Sequence, residues 1–183
     1  MKKRIQIESS GVQYIAISNI NLNESTRIRA AINPSIVEDY ALGMKTGGFP
    51  PVDLFRDGDR FFVGDGLHRI LAAQKNGEAT VAAVVHDGGR LGAIRWSMGA
   101  NKSHGLNRTY FDDENAVVVG LKEFPKLSDQ EIAELCGTYP ARVKSFRDWM
   151  ASKPGRVLEI GFRGYGKPHW TFRRVRRTVA RKA

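Results

Sequence analysis

The chain has 183 residues, of which 42% are hydrophobic and 26% are charged, and its formal net charge is +10. That length supports one domain with a real core and a small appendage, and no apolar run approaches the roughly 20 residues of a membrane span. The single cysteine, Cys136, excludes an internal disulfide and a thiolate-rich zinc site, and the basic N-terminus lacks the apolar segment of a secretory signal, so we expect a cytoplasmic protein.

Patterns in the first half of the chain predict short strands and helices. An apolar run predicts a strand at Tyr14–Ile20, and Asn33-Pro34 supplies an N-cap and a first residue for a helix that stops at Gly47-Gly48. Asp57-Gly58 is a hairpin signal between two strands, and Gly77 ends the helix that follows them. The predicted bounds are strands Val52–Phe55, Arg60–Val63 and Thr80–Val85, and helices Leu67–Asn76, Arg90–Asn101 and Asp112–Phe124. Strands dominate early and helices late, which predicts an α+β domain over residues 1–108, a helical module over 109–150 and a basic tail over 151–183.

The stretch "VGDGLHRILAA", residues 63–73, places Gly64 and Gly66 around Asp65 where a strand becomes a helix. Glycines let a backbone approach a ligand closely, and a helix N-terminus offers N–H groups and a positive dipole end. Arg69 is a bidentate donor for phosphate oxygens, and His68 can move a proton near neutral pH. The pattern suits a phosphate or nucleotide at an exposed turn. In the alternative interpretation, Asp65 caps the helix and Arg69 pairs with a surface acid.

The segment "LSDQEIAELCGTYPARVKSFRDWM", residues 127–150, carries a helix-turn-helix pattern. Ser128 and Glu131 form a capping box, and Ala133, Gly137 and Val143 have the spacing at which a second helix enters the major groove. An ordinary helical hairpin packed on the body is the alternative. The residues predicted to face outward and contact DNA are Tyr139, Arg142, Lys144, Ser145 and Arg147.

The segment from Ala151 onward has ten lysines and arginines against one acid, Glu159, and so carries nine of the ten net positive charges. Such a block is typical of a nucleic-acid contact, and a merely solvated tail is the alternative. Gly161–Trp170 mixes aromatic residues, cations and glycines, which suits single-stranded or distorted nucleic acid on a flexible backbone. Phe172, Val175 and Val179 have helical spacing, which predicts a basic amphipathic helix for phosphates or, alternatively, a membrane surface. The predicted DNA contacts of the tail are Arg163, Lys167, Arg173, Arg174, Arg176 and Arg177.

The order of these motifs resembles the ParB/sulfiredoxin superfamily over roughly residues 15–150. Gly66-Leu67-His68-Arg69 follows "PPV" and a hairpin, "GANKSHGLNRT" (residues 99–109) is similar to the second box of that family, and the helix-turn-helix comes after it. The resemblance implies a small mixed sheet with helices and a nucleotide site for ATP or CTP. In that site the turn would hold the phosphates, Asn101 would lie near metal and triphosphate, and an early arginine would line the pocket. The residues assigned to it are Arg27, Arg29, Gly64, Gly66, His68, Arg69, Asn101 and Arg108.

The chain also departs from the family pattern. Sulfiredoxins have a nucleophilic cysteine where this chain has Leu67, which argues against sulfinic-acid repair. Chromosomal ParB proteins have an arginine at His68 and an acid at Ala100, so the chain looks more like the short stand-alone members of phages and conjugative plasmids. Some of those are described as nucleases or NTP hydrolases, and they include fertility-inhibition factors.

Three functions follow from these observations. The first is a hydrolase of DNA, of ATP, or of both, with Asp65, His68, Arg69 and His104 as catalytic residues and Asp65 as a candidate ligand of Mg²⁺ or Mn²⁺. The second is a non-enzymatic DNA-binding regulator or partition adaptor that a nucleotide switches. A small-molecule kinase is the third, and it would leave the helix-turn-helix without a purpose. The expected partners are duplex and single-stranded DNA and a nucleotide, with a homodimer left open and no membrane.

Overall fold

The computed structural model describes residues 11–22, 28–29, 31–100, 108–154, 156–163 and 167–174. Contacts divide the chain into two units, Met1–Arg108 and Thr109–Ala183. The first unit is built on a five-stranded sheet in the order β1-β5-β3-β4-β2, with three helices among its described residues. Its elements are β1 (Gln13–Ala16), β2 (Ile20–Asn21), α1 (Pro34–Met44), β3 (Val52–Asp57), β4 (Arg60–Asp65), α2 (Leu67–Lys75), β5 (Thr80–Asp87) and α3 (Gly89–Gly99), and a 3₁₀ turn (Ile17–Asn19) separates β1 from β2.

The sheet mixes parallel and antiparallel pairs. Strands β3 and β4 form the predicted hairpin, and their register pairs Asp57 with Arg60, so the turn residues are Gly58 and Asp59. Strand β5 runs parallel to β3 and antiparallel to β1, and β2 runs parallel to β4. The predicted α+β class is therefore confirmed.

Alternation along the strands gives the sheet two buried faces. Val52 and Leu54 of β3 belong to the main core, which also takes in Ile70 of α2. On the opposite face Phe55 packs with Ala93 and Trp96 of α3. The remaining buried members of the main core are Ile15, Ile17, Ile20, Phe61, Val63, Ala73, Val81, Ala83 and Val85.

In the described part of the second unit, three helices are followed by an antiparallel hairpin. The order along the chain is α4 (Tyr110–Glu123), α5 (Asp129–Cys136), α6 (Pro140–Ala151), β6 (Arg156–Arg163) and β7 (Lys167–Arg174). In the parts of the chain that the structure describes, no helix is long and apolar enough to cross a membrane.

The hairpin corrects two predictions about the tail. Phe172 lies in strand β7 and does not begin a helix, and the flexible stretch predicted at Gly161–Trp170 is strand over 161–163 and 167–170. The physical reason is that Trp170 and Phe172 also fit a period of two, with Leu158 of β6 as a cross-strand partner for the same face. Val175 and Val179 lie outside the described residues.

Candidate functional site

The β4–α2 junction is the turn that the sequence singled out, and its glycines serve internal packing. Gly66 is the N-cap of α2 with a φ of 96°, and a Cβ built on it would lie 2.5 Å from Cγ1 of Val52. A Cβ on Gly64 would lie 2.6 Å from the ring of Phe55. Both positions therefore require glycine because protein side chains fill the space, and Gly66 also because of its left-handed backbone.

Arg69 is held by the protein itself. Its NH2 group lies 2.9 Å from Oδ2 of Asp65, and its NH1 group donates to the carbonyl oxygens of Pro50 and Pro51, the latter at 2.7 Å. The side chain is only 13% exposed, so this is not an exposed turn. Asp65 ends β4 and does not cap α2, which corrects one part of the alternative interpretation, whereas Arg69 does pair with an acid, Asp65.

His68 is buried and joins α2 to the start of α1. Its Nε2 accepts a hydrogen bond from the backbone N–H of Asn33 at 3.2 Å, and Asn33 is the N-cap of α1. A ring nitrogen that accepts carries no proton, so the neutral ring is protonated at Nδ1. In this structure His68 therefore helps to position α1.

The other residues of the predicted pocket are described only in part. Arg108 donates through NH2 to the carbonyl oxygen of Ser97 in α3, and Arg29 is half-buried. Arg27, Asn101 and His104 lie outside the described residues. The structure therefore brings Asp65, His68 and Arg69 together at one end of α2, and each of the three contacts protein groups there.

A polar pair that sequence reasoning missed, a buried histidine and a part-exposed aspartate, lies on the α3 face of the sheet. Nε2 of His86 is 2.8 Å from Oδ1 of Asp53, and the His86 ring packs against the rings of Phe55 and Trp96 with centroid distances of 4.9 and 4.8 Å. Asp53 is also the register partner of Asp65 across β3 and β4. The available signal was an aspartate and a histidine in or beside the apolar runs of two strands.

The predicted capping box and turn of the helix-turn-helix are confirmed. The N–H of Ser128 donates to Oε2 of Glu131 at 2.8 Å, and the N–H of Glu131 donates to Oγ of Ser128 at 3.2 Å. Gly137 ends α5 with a φ of 73°, which favours glycine. The buried faces of α5 and α6 consist of Ile132, Ala133, Cys136, Val143 and Phe146.

Three of the five residues predicted to face outward on this motif are exposed: Tyr139, Lys144 and Ser145. Nζ of Lys144 lies 2.9 Å from Oδ2 of Asp148, and this hydrogen bond raises the pKa of the lysine. Lys144 therefore stays charged at neutral pH and beyond.

Arg142 and Arg147 are half-buried, which corrects their predicted orientation. NH2 of Arg142 lies 3.4 Å from Oε1 of Glu114, and its guanidinium lies 4.8 Å from the ring centre of Tyr110. Nε of Arg147 donates to Oδ1 of Asp129 at 2.7 Å. The acids that orient both arginines come from α4 and α5, and no pattern within α6 reveals them.

Glu114 joins α4, α6 and β7. Its side chain is 9% exposed, and besides Arg142 it accepts a hydrogen bond from Nε1 of Trp170 at 2.7 Å. A hydrogen bond from Tyr110 to Glu114, together with the carboxylate charge, raises the pKa of the Tyr110 hydroxyl. The predicted tail contacts Arg163, Lys167, Arg173 and Arg174 lie in the hairpin strands, and Arg176 and Arg177 lie outside the described residues.

The comparison with protein families decides the membership of the chain. Residues 1–102 match the model of the ParB N-terminal domain. The chain belongs to the ParB N-terminal domain family. This confirms the superfamily that the motif order indicated.

Two curated relatives of this ParB-family chain are named as regulators. It is 31% identical over 121 residues to the transcriptional regulator NovG of Streptomyces niveus, which is 66% of this chain and 37% of that protein. It is 29% identical over 105 residues to a possible regulatory protein of the streptomycin biosynthesis operon of Streptomyces griseus, which is 57% of this chain and 30% of that protein. The chain thus spans about a third of the length of these relatives. Among solved structures, the truncated ParB of Caulobacter crescentus complexed with CTP-γ-S has a TM-score of 0.44 and 16% identity, with 78% of this chain and 86% of that chain covered.

Proposed function

We propose that this chain is a DNA-binding regulator of the ParB type that reads duplex DNA with helix α6. The observation that carries the proposal is the exposed face of α6. Along the chain, this helix follows the capped helix α5 and a turn at Gly137, whose backbone is left-handed. Tyr139, Lys144 and Ser145 are exposed there, while Val143 and Phe146 are buried on the other side. A helix that offers polar side chains from its first turns is suited to contact base edges and phosphates in the major groove. Membership in the ParB N-terminal domain family and the two regulator relatives support the same role.

The test is a binding titration with labelled duplex DNA. A preferred sequence is first selected from a random pool, and the affinities of the wild type for this duplex and for an unrelated duplex are then compared at fixed salt. We expect the double variant K144A/S145A to lose most of the preference, because side chains that reach base edges provide discrimination of about 1–3 kcal/mol per good contact. K126A is the matched control, since Lys126 is exposed in the α4–α5 connection. Equal affinity of the wild type for all duplexes would refute sequence reading.

A nucleotide site at the β4–α2 junction is the second candidate function. Gly66 leads directly into a nine-residue helix, whose N-terminal N–H groups and dipole attract phosphate. Asp65 and Arg69 already bind each other, so the backbone of this helix end provides the fitting donors. Among the described residues, no three His, Cys, Asp or Glu side chains are grouped as metal ligands. The backbone N–H groups at the start of α2 are the donors that would bind a phosphate group.

The geometry favours a switch over hydrolysis for this second function. His68 accepts from Asn33 and Asp65 pairs with Arg69, so both candidate proton-transfer groups are engaged in holding the fold. We expect calorimetry to detect ATP or CTP binding and duplex affinity to change when the nucleotide is added. To separate a switch from a hydrolase, the protein is incubated with plasmid DNA, Mg²⁺ or Mn²⁺ and labelled nucleotide. DNA nicking and phosphate release are followed together. Turnover by the wild type that is lost in an H68A variant whose melting profile shows it to be folded would favour the hydrolase.

A further inference from the structure

Helix α6 is followed, after a short connection, by an antiparallel hairpin in the same unit. We infer that the β6–β7 hairpin is a wing, a second DNA-contacting element that lies along the phosphate backbone beside the groove occupied by α6. The inference rests on the proposed function, because it adds a contact to the same duplex. Its support comes from three features of the second unit: the attachment of the hairpin to α6, the division of its two faces and the distribution of charge.

Aromatic contacts attach the hairpin to α6. The ring of Trp149 lies 5.2 Å from that of Phe172 and 6.4 Å from that of Trp170, and Phe146 lies 5.8 Å from Trp170. Leu158 of β6 is 1% exposed. Aromatic pairs at these distances add to the apolar burial and give the contact a defined geometry.

Polar contacts secure the same attachment. Nε1 of Trp170 donates to Glu114, whose other oxygen faces Arg142 of α6, and Nζ of Lys122 donates to the carbonyl oxygen of Leu158. One carboxylate thus links the recognition helix to β7. These contacts hold the hairpin at a fixed position relative to α4 and α6.

The two faces of the hairpin differ in composition. Because side chains alternate along a strand, the contacts of Leu158, Trp170 and Phe172 identify the face that packs on the helices. The opposite face carries the positions in between, where Thr171 is exposed. The register places on that opposite face Val157, Glu159, Gly161, Arg163, Lys167, His169, Thr171 and Arg173.

Charge supplies the third argument. Residues 109–150, which hold all three helices, carry five lysines and arginines against eight acids, whereas residues 156–174 carry five against one. The helices alone therefore offer a polyanion no net attraction. On the face away from the helices, the register also places Arg163 of β6 directly across from Lys167 of β7. Like charges at opposite positions destabilise a sheet, and a phosphate beside them would offset that cost.

The double variant R163A/K167A tests the wing. K45A/K126A is the matched control, because it removes the same charge at two exposed lysines outside the hairpin. Duplex affinity is measured over a range of salt concentrations for the wild type and both variants. Each phosphate contact contributes about 0.9 to the log–log salt slope, so R163A/K167A should flatten it by up to about 1.8 and the control should leave it unchanged.

Hydroxyl-radical footprints locate the lost contact. We expect the wild type to protect one region for α6 and a separate stretch of backbone for the hairpin, and R163A/K167A to lose only the second. A wild type that binds no duplex would overturn the proposed function and the wing together. A wild type that binds, with the same slope and footprint in R163A/K167A, would overturn the wing alone. Preferential loss of single-stranded binding in that variant would also overturn it, since the wing contacts a duplex.

Discussion

At the scale of single residues, the polar side chains at the N-terminal end of α2 stabilise the fold through contacts with other protein groups. His68 is 8% exposed and accepts the N–H of Asn33. The loss of this part-buried hydrogen bond costs its net contribution to stability, typically about 0.5–1.5 kcal/mol. The stability of the first unit should therefore depend on this histidine.

We expect His68→Leu to lower the free energy of unfolding by about 0.5–1.5 kcal/mol, because the hydrogen bond from the Asn33 N–H would be lost. Urea denaturation of the full chain measures the loss. Gln74→Ala, an exposed change on the same helix, is the control and should stay within about 0.5 kcal/mol of the wild type. A His68 variant as stable as this control would show that the contact contributes nothing.

Arg69 supports a second prediction. Arg69→Ala removes the ion pair with Asp65 and the donor for two proline carbonyls, so we expect a loss of about 1.5–3 kcal/mol in the free energy of unfolding. Nucleotide titration of the folded variant is a separate readout. If affinity for ATP or CTP falls tenfold or more while stability is unchanged, Arg69 serves the ligand and not the turn.

At the scale of elements, three glycines lie near the ends of helices α1 and α2. Gly66 has a positive φ and a filled space, Gly77 has a φ of 78° with open space, and Gly47 has open space and no positive φ. The three alanine substitutions therefore separate backbone strain from steric overlap.

We expect Gly47→Ala to be neutral or slightly stabilising, and Gly77→Ala to cost about 1–2 kcal/mol for the left-handed backbone. Gly66→Ala should cost more than Gly77→Ala, because Val52 would also have to move. Thermal and urea unfolding rank the three variants. An equal cost at positions 66 and 77 would mean that the β4–α2 junction relaxes freely.

Glu114 connects three elements of the second unit and allows a sharper experiment. A double-mutant cycle of Glu114→Ala with Trp170→Phe should show a coupling energy of about 0.5–3 kcal/mol, because the two side chains share a hydrogen bond. Glu134→Ala, an exposed acid of α5, is the control and should not couple. Since Glu114 raises the pKa of Tyr110, Glu114→Ala should lower that pKa, which an absorbance titration detects.

At the scale of the whole molecule, the hairpin determines which truncations of the basic segment leave the fold intact. Deleting everything from Ala151 onward would remove Leu158, Trp170 and Phe172 from their contacts with the helices. The consequence is an exposed apolar surface around Phe146 and Trp149. Binding by that deletion would therefore report on the fold as well as on charge.

A truncation after Arg174 avoids this problem. It removes four cations, Arg176, Arg177, Arg181 and Lys182, and keeps both strands. We expect the melting temperature of the full chain to be retained and the salt slope of duplex binding to flatten by up to about 3.6. The deletion from Ala151 serves as the comparison and should melt earlier. An unchanged slope after the shorter truncation would assign the electrostatic contact to the hairpin and the body.

Local signals in the sequence determined much of this protein. The Asn33-Pro34 cap, the Ser128–Glu131 capping box and the glycine at 137 act within one helical turn, so the residues that specify each structure are neighbours. The order of motifs also identified the ParB superfamily, because it samples most of the chain at once.

The tertiary structure decided which polar groups meet. Asp53 and His86 are 33 residues apart, Glu114 and Arg142 are 28 apart, and Glu114 and Trp170 are 56 apart. The spacing of Phe172 from its apolar neighbours fits a helix and a strand equally well. The pairing of β7 with β6 decides that Phe172 lies in a strand. A buried polar side chain needs a hydrogen-bond partner, because leaving it unpaired away from water costs free energy. Packing between elements that are distant in the sequence decides which partner lies within reach.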